Sequence, residues 1–146
     1  MSLRESISKY IVSALGELEE PRANLVTREP FEADKLAITQ FPAILINFAN
    51  ETRETITMGE VAIGRRAGTL SYEIRVFVRG TELDLRRNQM IQAIEEQLDR
   101  DRYLGLRALG VTDSQLNEIE VINRQPPLAE VRLVLTVRYN YLRGAQ

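Results

Sequence analysis

Leu128-Ala129-Glu130-Val131-Arg132-Leu133-Val134-Leu135-Thr136-Val137-Arg138-Tyr139-Asn140-Tyr141-Leu142 alternates with a period of two. Ala129, Val131, Leu133, Leu135, Val137, Tyr139 and Tyr141 fall on one face, and Glu130, Arg132, Val134, Thr136, Arg138 and Asn140 on the other. A period of two with one apolar and one charged face is what a strand shows when it packs one side on a core. It predicts the last and longest strand of a sheet covered on one face.

Thr69 to Arg79 repeats the pattern, with Leu70, Tyr72, Ile74, Val76 and Val78 opposite Ser71, Glu73, Arg75 and Arg79. Ala43 to Ala49 is apolar on both faces apart from Asn47, which suits a strand covered on both sides. Shorter extended segments are expected at Asn24 to Arg28 and, as an edge, at Asn117 to Arg124, with Gln125-Pro126-Pro127 turning the chain. Leu3, Ile7, Tyr10, Ile11, Ala14, Leu15 and Leu18 follow helical spacing, opened by Ser2 and Glu5 as a capping box and stopped by Pro21. A second helix carries Leu83, Met90, Ile91, Ile94 and Leu98, opened by Thr81 or Asp84 and fading near Asp99. The order α-β-β-β-α-β-β predicts a single α+β domain over residues 1–146. Its mainly antiparallel sheet has four to five strands, with both helices on the core face.

The chain has 146 residues, is 44% hydrophobic and carries a formal charge of -2, enough apolar material for one core and no overall field to attract nucleic acid or an anionic membrane. It contains neither cysteine nor histidine, so thiolate and imidazole chemistry and nearly every zinc or copper site are excluded. The charged start of the chain predicts neither a leader nor a membrane span, and a protein that stays in the compartment where it is made. All but Lys9 and Lys35 of the nineteen basic residues are arginine, the cation favoured at protein interfaces.

Two features depart from a self-contained domain. Residues 50–68 show no helical stripe and only weak alternation, yet Ile56, Met58, Val61 and Ile63 make them apolar enough to bury, with Arg65 and Arg66 beside them. A hairpin arm that becomes ordered against a neighbouring subunit fits that composition. On the polar sheet face, Phe77 interrupts Glu73, Arg75 and Arg79, and Val134 interrupts Arg132 and Arg138. That pattern predicts a patch covered by a partner, in which Phe77→Glu would spare folding and block assembly.

Residues 59–66 have the glycine spacing of a phosphate loop, but Arg65 and Arg66 replace its lysine and hydroxyl. Glu95, Glu96, Asp99 and Asp101 form the densest acidic group; Arg100 and Arg102 interleave with it, as in a solvated helix end. No nucleophile is set beside a base, so no enzymatic turnover is expected, and changes such as Glu95→Ala or Asp101→Ala have none to abolish. No catalytic, metal or cofactor residue is assigned. Asn47, Tyr72 and Tyr139 are the polar groups that a small-molecule or peptide binding cleft would use.

Met90-Ile91-x-x-Ile94-x-x-x-Leu98, then Asp101-x-x-Leu104-Gly105, a strand, a proline turn and Val137-Arg138-Tyr139 resemble the tail terminator and tail completion proteins of long-tailed bacteriophages. The apolar opening helix and Phe41-Pro42-Ala43-Ile44 fit as well, over nearly the whole chain. Leu106 stands where that family often has a second glycine. The resemblance implies a non-enzymatic virion subunit, assembled in the host cytoplasm. It would form a hexameric ring on the tail tube protein at the head-proximal end and stop tube growth. It also implies a surface for the head connector or neck proteins, contact with sheath where a tail is contractile, and DNA passing through the ring without sequence-specific binding. Another neck, connector or tube ring protein is the structural alternative.

Overall fold

The computed structural model describes residues 2–55 and 65–142. Helix α1 spans Leu3–Gly16, with the Ser2 hydroxyl accepting from the Glu5 amide as its N-cap. A three-residue strand β1, Leu25–Thr27, follows. The chain then crosses to β2, Ala43–Thr55, through two single 3-10 turns at Ala33–Lys35 and Ile38–Gln40. Strand β3 is Arg65–Arg79, helix α2 Leu83–Asp99, and strands β4 and β5 are Val111–Ile122 and Leu128–Leu142. The sheet order is β1-β2-β3-β5-β4, and every neighbouring pair is antiparallel except β1 with β2. The expected α+β architecture and the two long alternating strands are present as read from the sequence.

Alternation dictates the layering. Ile44, Ile46, Leu70, Tyr72, Ile74, Val76, Val131, Leu133, Leu135 and Val137 turn to one face and are buried with Ile7, Ile11 and Leu15 of α1 and Met90, Ile94 and Leu98 of α2. At roughly 1.5–3 kcal/mol for each fully buried aliphatic side chain, this cluster dominates stability. Both β3 and β4 run antiparallel to β5. They are therefore parallel to each other, and α2 is the crossover between them, as the strand-helix-strand order suggested. The β1 to β2 crossover lies on the opposite face of the sheet, where Ala33 and Phe41 are buried with Ala43, Leu45 and Phe77.

The structure differs from the expectation in two stretches. Asn50–Thr55 and residues 65–68 are not loop but the continuation of β2 and β3, paired with each other and, through β3, with β5. The arm is therefore sheet built within the subunit up to the Thr55 and Arg66 pair, which corrects the expectation of order only against a neighbour for Asn50–Thr55 and residues 65–68, while residues 56–64 lie outside the described residues. Alternation was hidden there because a bulge at Ala49, between the Phe48 and Asn50 pairs, shifts the inward and outward positions by one. In the other stretch, β4 begins at Val111, six residues before the edge strand read from the sequence, where Gly110 accepts from the Asn140 amide (2.9 Å) and starts the ladder.

Candidate functional site

The polar face of the sheet places Glu73, Arg75, Arg79, Glu130, Arg132 and Arg138 together, with Arg75 opposite Arg132 and Phe77 opposite Glu130. Two like charges face to face would repel, so each guanidinium is drawn to a carboxylate. Arg75 Nε donates to Glu130 (2.7 Å), and Arg132 Nε to Glu73 (2.8 Å) with Glu118 and Glu120 at 3.5 Å. The second Glu130 oxygen accepts from Arg124 Nε at 2.8 Å, and the Glu130 side chain is 1% exposed. Arg75 and Arg124 also lie over the Phe77 ring, at 5.2 and 5.5 Å from its centroid.

Phe77 itself is 1% exposed, covered by the crossover and set edge-on to Phe31. The apolar interruption in the charged face is thus filled from within the chain, and Phe77 is not a surface for a partner. This corrects the expectation that Phe77→Glu would leave folding intact: the ring belongs to a second, smaller core. Val134 is half-buried between its cross-strand partners Glu73 and Glu118 and does remain on the open part of this face. Arg65 and Arg66 occupy the start of β3, opposite Leu142 and Tyr141. Ile56, Met58, Val61 and Ile63 lie outside the described residues.

Because of the bulge, Glu51 and Arg53 turn to the helix side. Glu51 accepts from Arg4 Nε (2.6 Å), Arg53 Nε (2.9 Å) and the Tyr139 hydroxyl. Gly68 makes room for this, since a Cβ there would strike the Tyr139 ring. Burial opposes ionisation of Glu51, but the hydrogen bonds from Tyr139, Arg4 and Arg53 outweigh it and hold its carboxyl below the ordinary value. Burial first, then the Glu51 contact, pushes the Tyr139 phenol up to about 12. A carboxyl whose pKa falls on folding stabilises the fold above its unfolded value and loses that contribution as pH drops through the folded one. Thermal stability should therefore fall as pH drops below the ordinary carboxylate range. Glu51→Gln should flatten that fall in melts followed by circular dichroism, and cost about 1–3 kcal/mol at pH 7.

Tyr72 donates to the Arg4 carbonyl (3.0 Å). Both tyrosine hydroxyls of the candidate binding cleft are thus spent inside the subunit. Asp101 accepts from the Tyr103 and Gly105 amides at 2.9 and 2.8 Å, shaping the turn after α2. Among the described residues, no group of three or more acidic side chains is arranged to hold a metal ion.

The edge position read from the sequence for the strand before the proline turn is borne out by β4, but the second open edge, on β2, was not legible there. β1 covers β2 only at Ala43 to Leu45, so from Ile46 to Thr55 the outer edge of β2 has no strand partner among the described residues. β4 is the opposite edge. Each open edge carries exposed apolar side chains, Phe48 on β2 and Ile119 (46%) with Val121 (53%) on β4. Three strand spacings, roughly 14 Å, separate β2 from β4.

No protein-family model matches the chain, and no curated protein does. Among solved structures, a chain in the virion of a native gene transfer agent particle is similar, at 8% identity over 96% of each chain, with a TM-score of 0.48. At that identity and that degree of superposition the similarity bears on neither family nor function.

Proposed function

We propose that the chain is a non-enzymatic structural subunit of a phage-type virion that forms a ring at the head-proximal end of the tail tube. There it ends tube growth and presents a surface to the head connector. The observation that carries this reading is the pair of unlike, partly apolar open edges on opposite sides of one sheet. A head-to-tail contact joins two different patches and closes into a ring when the rotation permits. Long unpaired edges with exposed apolar residues are sites where another chain adds. The resemblance of the second helix, the Asp101 turn and the closing strand to tail terminator proteins supports this place in the virion. The lack of cysteine and histidine supports a role in assembly rather than turnover.

Electron microscopy of the purified protein and of the native particle tests this directly: rings at the head-proximal tube end are expected, and a protein located anywhere else overturns the placement. Ile119→Lys with Val121→Lys should leave the monomer fold within about 0.5 kcal/mol of wild type, because both side chains are exposed. The same pair should abolish rings. Normal rings from this variant would remove the β4 edge from the contact.

A further inference from the structure

At the end of the sheet away from the arm, β3 and β4 stop and β5 begins. Arg79 closes β3 opposite Leu128, the first residue of β5, and just beyond it the Gly80 amide donates to the Pro127 carbonyl (2.9 Å). Between this rim and the Ala33–Lys35 turn of the crossover lies a cleft of about 400 Å³. The charged residues that line it are Arg79, Arg124 and Asp34, and Asn123 and Gln125 add two side-chain amides. Ala33, Pro127 and Leu128 supply an apolar wall.

Two of the three guanidiniums at this end are already engaged. Arg124 Nε donates to Glu130 at 2.8 Å, and a terminal nitrogen of Arg124 lies 3.6 Å from Asp34. Arg75 takes the other Glu130 oxygen at 2.7 Å. Both carboxylates are thus shared between Arg75 and Arg124, which leaves Arg79 over. Arg79 is half-buried and makes no ion pair among the described residues. Glu82 and Asp84, the next acids along the chain, do not line the cleft. A guanidinium that has lost part of its hydration without gaining a counter-charge favours an anion from outside.

We infer that this cleft binds one organic carboxylate, with Arg79 as its principal partner, Arg124 as second donor and the Asn123 and Gln125 amides at the rim. A planar carboxylate matches the fork of a guanidinium. The apolar wall suits a carboxylate carried on a short hydrocarbon stem. Inorganic phosphate fits poorly, because a dianion would meet a single uncompensated cation and face Asp34 as well. Asp34, whose side chain is 79% exposed, is the internal carboxylate that the ligand displaces from Arg124. A free organic acid or a glutamate side chain of a partner protein carries the required group. Carboxylate binding here does not require a ring.

The test is titration of the isotope-labelled full chain with butyrate, followed by amide NMR shifts. Saturable shifts centred on Ala33, Gly80, Gln125 and Leu128 are expected, and none from butyramide, which has the same stem and no charge. Arg79→Gln should weaken butyrate binding about tenfold or more, the loss of a charge-assisted hydrogen bond, with an unchanged thermal melt. Asp34→Asn should tighten it about threefold, because the competing carboxylate is gone and its exposure spares the fold. A capped Ala-Glu-Ala peptide separates the two sources: tighter binding than butyrate assigns the cleft to a partner's acidic side chain, and weaker binding to a free acid. Shifts that do not saturate, equal shifts from butyramide, tighter binding of inorganic phosphate, or an Arg79→Gln variant that binds butyrate as wild type does each overturn the site.

Discussion

Phe77→Ala is expected to destabilise the fold by about 3–5 kcal/mol, the usual cost of removing a buried aromatic ring. Phe77 is held from three sides: by Phe31 of the crossover at 5.2 Å, by the Ala43 and Leu45 side chains of β2, and by the guanidiniums of Arg75 and Arg124. Truncation leaves a cavity under the crossover that the surrounding backbone cannot close, because Ala43 and Leu45 are fixed in the β2 ladder. Urea unfolding of wild type and variant measures the difference. A loss below about 1 kcal/mol would mean that the crossover does not depend on this ring for its anchorage.

Glu130→Leu should cost about 3 kcal/mol, as breaking one side of a buried ion pair does. The carboxylate bridges Arg75 and Arg124, and Arg124 also lies 3.6 Å from Asp34 in the crossover. Removing it frees two like charges next to one aromatic ring. Because both guanidiniums are about 30% exposed (31% and 29%), each can turn partly to water, which keeps the loss toward the low end of the range. A triple change, Glu130→Leu with Arg75→Leu and Arg124→Leu, should recover most of the lost stability, since replacing a whole buried ionic group by apolar residues is often neutral. No recovery would show that the arginines stabilise this face through the Phe77 ring rather than through Glu130.

The amino-acid sequence by itself determined the elements whose pattern is local. Strict alternation in Thr69 to Arg79 and Leu128 to Leu142 places Leu70, Tyr72, Ile74, Val131, Leu133 and Leu135 on one buried face, and the helical stripes of α1 and α2 supply what covers it. Period alone is enough there, because one face of each element must leave water. Tertiary structure decided what period does not encode. The aperiodic crossover between β1 and β2 covers Phe77, a match between segments far apart in sequence, so an apolar residue among charges read as an exposed patch. The bulge at Ala49 reverses the faces of Glu51 and Arg53, and a single unpaired residue has no signature in composition.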